Sequence, residues 1–252
     1  MSLLTNWAII WFLTTMTAAL LLDTFSYYTT GAIAALTVLL LSPLALTPVG
    51  DQVARASNGV RRPTREEYDY IKPMFEEVYQ KSGIKKEIEL FVSKDNYPNG
   101  SAMGTKTVAL SRPLLRCTQE EIKAVLAHEL GHIKNYDTQI HSICCFLDDL
   151  GLIALAAAIG ILTFLTDAFK LFFPFLLFVL ILKAIQVIIN FIIKITYLAT
   201  RRGMELRADA FAAQLGYREG MIKFLTRVGD TRKTDFFGTH PLNKTRIARL
   251  TA

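Results

Sequence analysis

Thr118-Gln119-Glu120-Glu121-Ile122-Lys123-Ala124-Val125-Leu126-Ala127-His128-Glu129-Leu130-Gly131-His132-Ile133 spells out a helix from its cap onward. Thr118 with Glu121 three residues later is a capping box, each side chain able to satisfy the other's backbone N–H. Ile122, Leu126, Leu130 and Ile133 then recur at helical spacing and form one apolar stripe. His128 and His132, four apart, share a face of this helix. Each lies about 200° around the axis from the stripe residue two places before it, at about 100° per residue. The histidines are therefore expected to point away from the core and into a cleft.

The chain has four histidines, so a pair with this spacing stands out. H-E-x-x-H on a helix lets two ring nitrogens approach one Zn²⁺ at about 2.0–2.1 Å. It leaves Glu129 beside the ion as a general base toward an attacking water. A catalytic zinc usually takes a third protein ligand. His141 does not supply it: the longer zinc-protease pattern would put its glycine at Asn135 and its third histidine at Thr138. His141 reads instead as a solvated or membrane-edge histidine. Downstream, Arg202-Gly203-Met204-Glu205-Leu206-Arg207-Ala208-Asp209 sets Glu205 and Asp209 on one helical face. Glu205 completes a His₂Glu set, and Asp209 can orient a ligating histidine from behind.

With these residues in place, the chain resembles the HtpX-like integral-membrane zinc metalloproteases, relatives of the eukaryotic CAAX prenyl proteases. The likeness runs from His128-Glu129-Leu130-Gly131-His132, through two apolar segments, to Glu205-Leu206-Arg207-Ala208-Asp209. Pro98-Asn99-Gly100-Ser101-Ala102-Met103-Gly104 resembles the family's N-A-x-A edge-strand segment, with Gly100 in place of the usual alanine. His240-Pro241 followed by Arg246-Ile247 resembles its C-terminal H-P-x-x-x-x-R-I element. The resemblance implies a mainly α membrane protein with a small β-sheet, built as four transmembrane helices plus a cytoplasmic gluzincin-like zinc protease domain. It implies Zn²⁺ on His128, His132 and Glu205, and Glu129 as the proton carrier. Asn99, Gly100, Ser101 and Ala102 would bind substrate, and His240 would steady the oxyanion, with Arg246 the second candidate.

Composition points to the membrane independently. The chain is 52% hydrophobic with a mean hydropathy of +0.32, and the apolar residues fall in blocks. Residues 3–22, 31–49, 150–169 and 171–190 each approach the run of about 20 apolar residues that spans a bilayer. They pair into hairpins, giving spans within 1–49 and 150–198 and polar parts at 50–149 and 199–252. The first block lacks the basic flank of a signal peptide. Loop 23–30 carries no Lys or Arg, whereas Arg55, Arg61, Arg62 and Arg65 follow the second block, and Arg201 and Arg202 the fourth. That bias assigns both polar parts to the cytoplasmic face of the cell's inner membrane. Lys183, Gln186, Asn190 and Lys194 form a polar stripe within block four, for which two readings stand side by side: a snorkelling lysine or the wall of a wet cavity.

The net charge of +6 sits in residues 199–252, beside the expected lipid head groups. No nucleic-acid module or phosphate-binding glycine loop is visible. Cys117, Cys144 and Cys145 are not spaced as zinc ligands, and a cytoplasmic face would keep them reduced. In the polar part, Tyr68, Ile71, Phe75, Val78 and Tyr79 predict a helix, containing Pro73 and stopping at Gly83. Residues 87–93 and 107–110 predict strands, with 95–104 turning between them. The expected partners are the lipid bilayer and protein or peptide substrates. The expected function is zinc-dependent cleavage of membrane or misfolded proteins. The alternatives are maturation of one dedicated small peptide and a non-catalytic scaffold around a structural zinc.

Overall fold

The structure, a computed structural model, describes residues 42–145, 200–229 and 242–252, with isolated positions 36, 40, 181, 184 and 188. The chain divides into two compact units, residues 1–44 with 143–197 and residues 45–142 with 198–252. Three of the four expected spans (apart from isolated positions), the polar stripe at Lys183, and nearly half of the span at 31–49 lie outside the described residues. Among the described residues no helix is long and apolar enough to cross a membrane. The last residues of the 31–49 block form a 3₁₀ turn, Ser42–Leu46, and then Thr47 caps a new helix, α1, Pro48–Ser57. Proline suits that first helical position because its missing N–H would have no partner there.

The second unit is built around one helix. α2, Arg65–Ser82, opens on a complete capping box, Thr64 with Glu67, and closes on Gly83 in the left-handed region at φ 68°. It begins three residues before the expected start, because Thr64-Arg65-Glu66-Glu67 repeats the capping signal of the zinc-motif helix. Strands β1, Glu89–Ser93, β2, Gly100–Met103, and β3, Thr107–Ser111, make a sheet in the order β1-β3-β2. β1 runs parallel to β3, Glu89 opposite Thr107, and β2 antiparallel to it, Gly100 opposite Leu110. The segment 95–104, expected as a turn, therefore contains a strand. Four residues with two small side chains carry too weak an alternation to be read from sequence, and pairing with β3 supplies the order.

α3, Gln119–Lys134, has both halves of its expected capping box. It packs against α2, against β2 and against α6, Arg218–Val228. Ile122, Leu126, Leu130 and Ile133 are fully buried, as their spacing predicts, together with Ile71, Val78 and Leu225. Each such side chain contributes about 1.5–3 kcal/mol. The opposite side of α3 departs from expectation: His128, Glu129 and His132 are also buried rather than open to a cleft. They face a helix covering 200–214, here α5 (α4 covers 137–145), and α7, Asn243–Thr251, closes the site from behind.

Candidate metal centre and active site

Two helices must approach closely for α3 to share an ion with α5, and Gly131 makes room. A Cβ on Gly131 would lie 3.2 Å from the Ala208 Cα and 3.1 Å from the Phe211 ring. That close approach brings Glu205 to the two histidines. His128 Nε2 and His132 Nε2 stand 3.2 Å apart, and the Glu205 carboxylate is 3.3 Å from the first and 3.7 Å from the second. Four ligands around an ion at about 2.0–2.1 Å would be separated by roughly 3.3 Å. The three donors thus have the chemistry and spacing of a tetrahedral zinc site with one position left over. Among the described residues this is the cluster able to hold a metal, and His141 is not in it.

Each histidine is backed by a carboxylate. His128 Nδ1 lies 2.9 Å from Asp209, and His132 Nδ1 lies 3.0 Å from Asp137. With the Nδ1 proton donated to a carboxylate, the Nε2 lone pair is turned toward the ion. The carboxylates are held in turn. Arg246 donates to Asp209 through Nε at 2.7 Å and Nη2 at 2.6 Å, and Arg207 donates to Asp137 through Nη2 at 3.0 Å.

The charges follow this geometry. Burial pushes the Asp209 carboxyl up, but hydrogen bonds from Arg246 and His128 outweigh it and hold it at about 2. Burial pushes His128 down, but Asp209 and Glu205 together raise its imidazole to about 10 in the metal-free chain. A metal ion bound between the two Nε2 atoms would displace the proton that His128 otherwise holds.

Glu129 is on the adjacent face of α3, buried at 6% exposure, and the edge strand begins against it. A Cβ on Gly100 would sit 3.1 Å from Glu129 Oε1 and would collide with Val125 Cγ1. Ser101 and Ala102 follow along β2, half-buried. Asn99 is tied into its own loop: its side chain donates to Asp95 at 2.8 Å and its backbone N–H to Ser111 Oγ at 2.9 Å. Arg246 is buried, with its remaining Nη1 3.6 Å from Glu205. His240 lies outside the described residues.

Sequence reasoning missed Asp137 and Arg207. Arg207 stands inside the E-L-R-A-D motif but reads as an ordinary exposed arginine. Asp137 follows a break at Tyr136, whose φ of 61° turns the chain back toward His132. That left-handed residue removes the helical periodicity by which the pairing could have been noticed.

Residues 65–252 match the profile described as Peptidase family M48. A protease HtpX homolog of Dictyoglomus turgidum is 27% identical over 213 residues, covering 79% of this chain and 66% of that protein. Protease HtpX homolog 1 of Sulfurisphaera tokodaii is 31% identical over 164 residues, covering 60% of this chain and 50% of that protein. The crystal structure of S. mikatae Ste24p superposes with a TM-score of 0.57 at 17% identity, covering 97% of this chain and 63% of that one. The chain thus spans about two thirds of the D. turgidum protein and of Ste24p. With three zinc-type donors converging beside a buried glutamate, and with these relatives, the chain belongs to peptidase family M48, among the HtpX-like metalloproteases.

Proposed function

We propose that this chain is a membrane-embedded, zinc-dependent endopeptidase that hydrolyses peptide bonds of membrane or misfolded proteins at the cytoplasmic face of the inner membrane. The observation that carries the reading is the convergence of His128, His132 and Glu205 within 4.8 Å, with Glu129 beside them. Zinc held by these three residues would polarise the scissile carbonyl and make a water acidic enough to ionise near neutral pH. Glu129 takes the proton of the attacking water and returns it to the leaving amine. Asp209 and Asp137 keep the Nδ1 protons of the two histidines in place, and Arg246 locks Asp209 from behind. His240, in the His-Pro element, is the proposed donor to the oxyanion. Arg246 is already engaged with Asp209, so it serves better as a support than as that donor.

Substrate binds in this proposal as an added strand along β2. The order β1-β3-β2 leaves β2 at the margin of the sheet, and its first residue abuts Glu129. Main-chain pairing of this kind reads little side-chain sequence, which suits clearance of damaged proteins. The four apolar blocks and the HtpX relatives support the membrane location, and the basic residues flanking the blocks support the orientation. Peptide maturation would use the same site. A purely structural zinc would leave Glu129 without a role.

The test is purified full-length protein with Glu129→Ala. Wild type should cleave an unfolded protein, the variant should not, and both should bind zinc. Equal cleavage by the two proteins removes Glu129 from the mechanism.

A further inference from the structure

Among the buried carboxyl groups that the site does not use is one on α1. Asp51, on α1, is 2% exposed. Its carboxylate accepts two hydrogen bonds from one residue, the Thr105 N–H and the Thr105 hydroxyl, both at 2.6 Å. Thr105 lies in the turn joining β2 to β3. The turn passes through Gly104 at φ 59°, and a Cβ there would collide with the Asp51 carboxylate. One helical turn further along α1, Arg55 reaches Thr107 Oγ1 at 3.4 Å, at the start of β3, and lies over the Phe91 ring. α1 therefore grips the β2–β3 hairpin at its tip, from 54 residues away in the chain.

A buried carboxylate is costly unless its lone pairs are satisfied, so this bond holds the tip in one place. β2 has four residues and, among the described residues, pairs on one side only. Its far end, Met103, is next to Gly104; its near end, Gly100, abuts Glu129. The position of the strand relative to Glu129 is set by β3 along its length, by packing on α3 at Gly100, and by Asp51 at its tip.

We propose that Asp51 is a positioning residue for substrate: by pinning Thr105 it fixes the free edge of β2 at the depth an extended peptide needs to place its scissile bond beside Glu129. Asp51 itself touches neither substrate nor metal. The inference rests on the proposal that substrate adds to β2, and the test separates the two.

Full-length protein in lipid discs is assayed with a fluorogenic nonapeptide long enough to lie along β2 and with a dipeptide that reaches only the scissile bond. Zinc affinity is measured by chelator competition. Asp51→Ala should raise KM for the nonapeptide on the order of tenfold or more, since small misplacements of a bound substrate are expensive. It should leave dipeptide turnover and zinc affinity unchanged. Asp51→Asn, which can still accept the Thr105 N–H and donate to its hydroxyl, should restore the wild-type KM. Thr105→Val, losing one bond of the two, should fall between. Equal loss on both peptides, loss of zinc affinity, or no change in KM with Asp51→Ala overturns the positioning role. Ala102→Pro is the control for the underlying reading. Antiparallel alternation from the Asn99–Ser111 pair turns the Ala102 N–H to the free edge, where proline is tolerated. If Ala102→Pro raises the nonapeptide KM and Asp51→Ala does not, the pin alone is wrong. If Ala102→Pro has no effect, strand addition is wrong and the pin falls with it.

Discussion

His128 and His132 are one helical turn apart and face the same candidate metal position, yet they are supported in different ways. Behind His128 the support is internal: Asp209 and Arg246 are both buried, and their bond is bidentate. Behind His132 it is half external: Asp137 is buried, but the Arg207 side chain that holds it is 56% exposed and makes one bond. A buried pair is demanding because neither ion can fall back on water if the other is lost. A pair with one wet partner is forgiving, because solvent replaces the missing charge. The first histidine is thus fixed to the core through α7, and the second by a tether at the rim.

The largest test of this contrast is Asp209→Ala, which leaves Arg246 buried beside an unsatisfied histidine. Stability should fall by roughly 3–5 kcal/mol and zinc affinity by about ten- to a hundredfold, read by denaturant unfolding and chelator competition. Asp137→Ala should cost about 1–3 kcal/mol, the penalty of one buried unsatisfied donor, and about tenfold in zinc affinity. Equal losses in the two variants would mean that burial of Arg246 adds nothing. Arg207→Ala should change stability by about 1 kcal/mol or less, with zinc affinity close to wild type. A large loss there would show that the rim tether is as stiff as the buried one.

A carboxylate–arginine pair outside the site gives the smallest effect and a reference. The hydrogen bond from Arg61 to Glu67 outweighs partial burial and holds that carboxyl at about 2, below its ordinary 4.5. A depressed folded pKa stabilises above the unfolded value and is lost as pH falls through the folded one. The stability advantage of wild type over Glu67→Gln should therefore be full above about pH 4.5 and shrink toward pH 2. An advantage that grew on acidification would contradict the pairing.

How much of this was legible beforehand depended on distance along the chain. The capping box at Thr118, the stripe from Ile122 to Ile133, the two histidines and the Glu205–Asp209 pair each lie within about three helical turns at most. Side-chain identity and a period of 3.6 residues suffice to read them. Gly83 as a helix stop is of the same kind. The depth of the histidines was misread, because a stripe predicts which side of α3 meets the core but not whether α5 covers the other. Periodicity missed β2, which only the family resemblance suggested, because a four-residue segment of mostly small residues acquires its strand conformation from β3.

Local spacing and chemistry alone nominated the composition of the site, namely which side chains could serve as metal donors, which glutamate stands beside them as the proposed proton carrier, and where α3 begins. The tertiary structure alone decided what supports it. Asp137 meets Arg207 across 70 residues, Asp209 meets Arg246 across 37, and Asp51 meets Thr105 across 54. Such partners are selected by how helices and strands pack, through close approaches such as that at Gly131, and no repeat in a linear sequence encodes a register between segments so far apart.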